Sequence, residues 1–119
     1  MRPEDRVRIQ HILDACESIA RFLAGRQRED LDADEMLLFA LLRAVEIIGE
    51  AATRVSEEAR SLLPAVPWAR IVAMRNRLIH AYFEVNNDIV WRTATEDVPA
   101  LQTALAHLKD EPQGDVRGW

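Results

Sequence analysis

The stretch DADEMLLFALLRAVEIIGEAATRV, Asp32 to Val55, decides the fold. Leu38, Leu41, Val45, Ile48, Ala52 and Val55 recur at helical spacing, and Leu37, Ala40, Ala44, Ile47 and Ala51 form a second stripe about one residue away in rotation. No proline interrupts the pattern, and Asp32 with Glu35 three residues on has the form of a capping box. The spacing predicts one long helix in which more than half the circumference requires burial. Two arrangements satisfy that requirement. The second stripe, mostly alanine with Gly49 beside it, suits close approach of a helix from a second subunit and so predicts a homodimer. Alternatively, both stripes face neighbours inside one subunit, as in a central helix.

Towards the N-terminus, Ile9, Ile12, Cys16, Ile19 and Leu23 lie 3,4,3,4 apart, which predicts a helix from about Pro3 to Ala24, ended by Gly25. Towards the C-terminus, Ser56 with Glu57 and Glu58 predicts a short third helix that stops before Pro64. Pro67 suits the start of a fourth helix reaching about Tyr82. After the turn VNNDI, Asn87 or Asp88 can cap a fifth segment that places Val90, Ala94, Val98, Leu101, Leu105 and Leu108 on one face. Pro99 lies inside that segment and predicts a kink or break near Val98. No run alternates as a strand would. The expectation is an all-α, up-and-down bundle of four to five helices, homodimeric, with residues 1–109 as one domain and 110–119 as a mobile tail.

Composition narrows the function. With 119 residues, 49% of them apolar and 29% charged, the chain fits one globular domain. The longest apolar run, Met36 to Leu42, is far too short to span a bilayer, and MRPEDRVR is not followed by the apolar core of a leader. A single cysteine, Cys16, excludes an internal disulfide and any cysteine-rich metal cage, so the expectation is a cytoplasmic protein. A net charge of −5 argues against non-specific coating of nucleic acid. The charge is segregated, however. Ala59 to Phe83 holds Arg60, Arg70, Arg75 and Arg77 and no acid, so it is +4, leaving −9 on the rest of the chain. Such a strip is either a solvated helix face or a place to meet phosphate.

The fourth helix carries the candidate chemistry. Trp68, Ile71, Arg75, Leu78 and Tyr82 share a stripe, so a permanent cation sits on an otherwise apolar face and requires an anion. Glu46 or Glu50 of the long helix could supply it as a structural ion pair, or a substrate phosphate could. Asn76 and His80 stand one turn apart, about 140° of rotation separating His80 from Arg75. A histidine can move protons at neutral pH and a guanidinium can match charge on phosphorus, which is the pair a phosphodiester reaction needs. Bland readings stand beside these. Tyr82 can be a packed helix-end aromatic. His11 and His107 read as surface positions, Cys16 as core, and Trp68, Trp91 and Trp119 as packing or tail residues. Glu46 and Glu50, beside Arg43 and Arg54, read either as paired acid/base carboxylates or as a surface ion network.

The run PWARIVAMRNRLIHAYFEVNNDIVW, Pro67 to Trp91, with EIIGEAA upstream, resembles the HepT family of small HEPN-superfamily proteins. That family's signature is Arg, a polar residue, three further positions, His, any residue, Tyr, which here falls on Arg75, Asn76, His80 and Tyr82. The resemblance extends over roughly Leu37 to Leu101. It implies a dimeric helical bundle acting as the toxin of a type VII toxin–antitoxin system, a metal-independent endoribonuclease in which a ribose 2′-hydroxyl attacks the adjacent phosphorus. His80 would transfer the proton and Arg75 would stabilise the phosphorane, with Asn76 and Arg77 binding or orienting the RNA. No cofactor and no metal is implied. The partner would be a minimal nucleotidyltransferase antitoxin that transfers AMP to Tyr82. A non-catalytic helical protein that binds a nucleotidyltransferase or nucleotide, and a purely structural bundle, are the rival readings.

Overall fold

Every regular element among the described residues, 1–84 and 86–106 of this computed structural model, is helical. In chain order they are α1 (Pro3–Leu23), α2 (Asp30–Ala33), α3 (Glu35–Arg54), α4 (Glu57–Leu62), α5 (Trp68–Phe83), α6 (Asn87–Arg92), a π-helical turn (Thr93–Asp97) and α7 (Val98–Ala106). No helix among these residues is long and apolar enough to cross a membrane.

Helix α3 is the central element, with α1 and α5 packed along it. Ile12, Cys16 and Ile19 of α1, Leu41, Val45 and Ile48 of α3, Leu78 of α5, and Val90, Val98 and Leu105 beyond it are all but sealed from water. Each of the aliphatic side chains contributes about 1.5–3 kcal/mol by leaving water. Both stripes of α3 enter this core: Leu41, Val45, Ile48 and Ala52 of the first and Leu37, Ala44 and Ala51 of the second are buried within the one chain. The second stripe therefore serves neighbours inside the subunit. Its expected use against another copy is corrected on that ground.

Local chemistry moves several boundaries. Helix α3 begins at Glu35, because the Asp34 side chain accepts from the Leu37 N–H; Asp32 belongs instead to the short α2 and binds Arg28 and Asn87. Asn86, rather than Asn87 or Asp88, caps α6 by accepting from the Ile89 N–H. The break expected from Pro99 takes the form of the π-helical turn just before Val98. Proline has no N–H for the Thr95 carbonyl one turn back, and its ring would crowd that oxygen in an α-helix. Gly25 adopts φ 74° just past α1, a left-handed conformation glycine takes without strain. The positions Leu108 and His107 and the tail 110–119 lie outside the described residues.

One buried polar contact fixes how α1 lies on α3. The Asp5 carboxylate, on the first turn of α1 and buried, accepts from the backbone N–H and the hydroxyl of Ser56, both at 2.8 Å. Ser56 in turn caps α4 through the Ala59 N–H. Since Asp5 begins α1 and Ser56 follows the end of α3, the two helices run antiparallel.

Candidate active site on helix α5

The start of α5 is held in place from three sides. Trp68 donates its indole N–H to the Leu63 carbonyl at 3.2 Å, and the Arg60 guanidinium lies 5.7 Å over its ring. Arg60 also donates to the Ala52 carbonyl at the end of α3. These contacts lay α5 across α3 with Ile71, Met74, Leu78 and Ala81 facing the core.

At the crossing, the stem of Arg75 occupies the space that a side chain at position 49 would take. A Cβ on Gly49 would stand 2.6 Å from both Cβ and Cγ of Arg75 and 2.9 Å from Cδ. Gly49 thus allows the close approach expected of it, but the approaching helix is α5 of the same chain. Beyond the stem, Arg75 Nη2 lies 3.4 Å from Glu50 Oε1 and Nη1 donates to Asn76 Oδ1 at 3.3 Å. Its Nε is buried and has no hydrogen-bond partner among the described residues. The ion pair is long beside the 2.7–2.9 Å of a strong charge-assisted bond. With 30% of the arginine and 52% of the glutamate side chain exposed, water screens it, so Glu50 neutralises Arg75 only in part.

His80 stands one turn beyond Asn76, its side chain 74% exposed, with Nε2 at 3.0 Å from Glu84 Oε1. A neutral imidazole holding a proton on Nε2 for that carboxylate leaves its Nδ1 lone pair turned to solvent. Arg75 and Asn76 are therefore in contact, and His80 follows them along the same helix. Arg77 is placed differently: its Nη2 binds Asp97 Oδ2 of the π-helical turn at 2.7 Å. Tyr82, 37% exposed, sets its ring edge-on to Phe39 at 5.9 Å and beside Phe83 at 5.8 Å. With Met36 these rings make an exposed apolar face next to His80.

Reading the sequence alone missed Glu84 and Asp97 as partners of His80 and Arg77. The i,i+4 spacing of His80 and Glu84 was available as a signal; the Arg77–Asp97 contact depends on tertiary folding and had none. Glu46 pairs with Arg43 and Glu50 with Arg75, so the two carboxylates act in ion pairs rather than as one acid/base couple. His11 is exposed and Cys16 is buried, with burial pushing its thiol up to about 12. Among the described residues no three His, Cys, Asp or Glu side chains come together as a metal site requires.

Comparison with known proteins adds to this geometry. The family model described as "Ribonuclease HepT-like" matches residues 12–108. The chain is 38% identical over 101 residues to a "Probable ribonuclease HepT" of Thermococcus cleftensis, covering 85% of this chain and 92% of that protein. It is 40% identical over 100 residues to a "Putative RNase" of Caldanaerobacter subterraneus subsp. tengcongensis, covering 84% and 89%. No solved structure matches the chain.

Proposed function

The chain belongs to the HepT-like ribonuclease family, and from that premise we propose that it is a metal-independent endoribonuclease whose reaction is carried by Arg75 and His80. The observation that carries this reading is the half-exposed guanidinium of Arg75, held by Gly49 at the mouth of the α3–α5 crossing and only weakly engaged by Glu50. A phosphate can compete for it, bound through the planar fork.

In the reaction, the 2′-hydroxyl oxygen bonds to the adjacent phosphorus while its proton passes to Nδ1 of His80. Glu84 orients the ring and stabilises the imidazolium that forms, as a carboxylate does behind a catalytic histidine. Arg75 matches the charge that develops on the phosphorane oxygens, and Asn76 holds the guanidinium in position. The bond from phosphorus to the 5′-oxygen then breaks. That oxygen leaves with a proton from solvent, and the imidazolium returns its own to solvent, giving a 2′,3′-cyclic phosphate and a 5′-hydroxyl. Because RNA supplies the nucleophile, the step calls for no metal or cofactor. Arg77 would have to exchange Asp97 for a phosphate to take part, and so has a secondary role in binding.

Tyr82 is the proposed regulatory position. A nucleotidyltransferase antitoxin would transfer AMP from a nucleoside triphosphate to its hydroxyl, with pyrophosphate leaving. The new phosphodiester would set negative charge and bulk two residues from His80 and repel the incoming RNA. The exposed Met36, Phe39 and Phe83 around Tyr82 support a protein partner on this face, whether that enzyme or a second copy in a homodimer.

His80→Ala tests the catalytic reading. The exposed ring can be removed without opening a cavity, so the variant should melt like the wild type. It should lose about 10²–10⁴-fold in cleavage of an RNA oligonucleotide. Wild-type cleavage by this variant would overturn the assignment. Intact mass after co-expression with a nucleotidyltransferase should show added AMP, absent in Tyr82→Phe.

A further inference from the structure

A second cluster of cations lies on the opposite side of α3 from the α5 crossing. The Asp5–Ser56 contact sets α1 against α3 so that a groove of about 350 Å³ opens between them. Arg8 and His11 line it from α1, and Arg43, Glu46, Glu50 and Arg54 from α3. Two of its charges are already matched: Arg43 binds Glu46, and Glu50 faces Arg75. Arg8 and Arg54 have no carboxylate partner among the described residues. On a chain of net charge −5, two unmatched guanidiniums sharing one groove are an exception that calls for an anion. Glu50 belongs both to this groove and to the contact with Arg75, so the groove continues directly from the reacting centre.

We propose that this groove is the track of the RNA strand beyond the cleaved bond, with Arg8 and Arg54 holding a second phosphodiester of the substrate. The inference rests on the reading of the chain as an RNA-cleaving enzyme and adds to it the binding site for the flanking nucleotides. One phosphate engages Arg75, the strand passes Glu50, and a neighbouring phosphate enters between α1 and α3. Ile47 and Ala51 floor the groove and offer no polar group that would read a base edge. Recognition there is of the backbone, without regard to sequence. The substrate class is thus single-stranded RNA with several nucleotides on one side of the cut, rather than a dinucleotide.

The probe is a fluorescein-labelled octanucleotide made entirely of 2′-deoxy residues, which lacks the attacking hydroxyl and so reports binding alone. Fluorescence anisotropy at low salt should show the wild type binding the octamer more tightly than the dinucleotide of the same chemistry. Arg8→Ala/Arg54→Ala should bind the octamer at least roughly tenfold more weakly, the loss expected for charge-assisted phosphate bonds. Its salt dependence should fall by about 0.7 or more in slope, one phosphate's share for a single strand. Adenine and cytosine octamers should lose equally. Arg21→Ala/Arg92→Ala removes the same net charge elsewhere on the surface and should bind as the wild type does. Arg54→Glu is a second variant, expected to bind more weakly than Arg54→Ala. An octamer that the wild type binds no more tightly than the dinucleotide, or the double variant no more weakly than the wild type, would overturn the groove. Cleavage of the all-ribose octamer is scored separately: arginine-dependent binding without any cleavage by the wild type would overturn the ribonuclease mechanism and leave the groove standing.

Discussion

Replacing Gly49 with alanine sets two effects of known size against each other. In a helix interior alanine is favoured over glycine by about 1 kcal/mol, so on propensity alone the variant should be more stable. The new methyl, however, would stand 2.6 Å from Arg75 Cβ and Cγ. Carbon atoms rest at about 3.5–4.0 Å, so the approach is about 1 Å too close. A change of rotamer moves Cγ and Cδ but leaves Cβ where the backbone puts it, so α5 itself must move away from α3. Overpacking of this kind costs about 1–3 kcal/mol, which leaves a net loss of up to about 2 kcal/mol. The effect on catalysis should be larger. A displacement of about 1 Å at a reacting group can cost about 10²-fold in rate. The expected result is a modest fall in melting temperature with a fall of about 100-fold in kcat/KM on an RNA oligonucleotide. A Gly49→Ala protein that melts higher than the wild type and cleaves at the wild-type rate would show that the Arg75 stem is not seated on Gly49.

Three further perturbations follow from other contacts. Burial raises the Asp5 carboxyl, but the hydrogen bonds from Ser56 outweigh it and hold the group below its ordinary range. Its stabilisation is therefore present above the unfolded value near 3.9 and lost as pH falls through the lower folded value; urea melts at pH 7 and pH 3 should differ less for Asp5→Asn than for the wild type. Asp5→Ala should cost about 1–3 kcal/mol at pH 7 by leaving the Ser56 N–H unpaired. Cys16, its thiol pushed up to about 12 by burial, should resist alkylation at pH 8 until the chain is unfolded, which mass spectrometry across a denaturant series can follow. Glu50→Gln removes the carboxylate that competes for Arg75, and KM for RNA should fall by a few-fold, as suits a screened ion pair; a rise in KM would mean that Glu50 positions the guanidinium instead.

The long helices were legible because their apolar residues recur at 3.6-residue spacing: Ile9, Ile12, Cys16 and Ile19 on α1 are buried as that spacing requires. Which neighbour a stripe meets was not legible. Leu37, Ala44 and Ala51 look the same in sequence whether α5 or another molecule covers them. Caps shifted by one or two residues, from Asp32 to Asp34 and from Asn87 to Asn86, because adjacent Asp and Asn residues offer equivalent oxygens and only the chain's path selects one. At the site, Arg75, Asn76, His80 and Tyr82 could be named from their spacing. The choice between Glu46 and Glu50 could not, since it depends on where α5 crosses α3. The unmatched Arg8 and Arg54 are far apart in sequence and become neighbours only through the Asp5–Ser56 contact.

The π-helical turn Thr93–Asp97 makes chain length itself a structural element. Val90, Ala94 and Val98 follow one another at four-residue intervals, a drift that an α-helix would carry off the core; the wider turn absorbs it, so Val98, Leu101 and Leu105 still face inward. Removing one residue from Thr93–Asp97 would permit a regular α-helix locally and rotate everything after it by about 100°. Leu101 and Leu105 would swing towards water, and Asp97 would leave Arg77. Changing the identity of an exposed residue such as Glu96 should cost little by comparison, so this part of the chain should tolerate substitution while resisting any insertion or deletion.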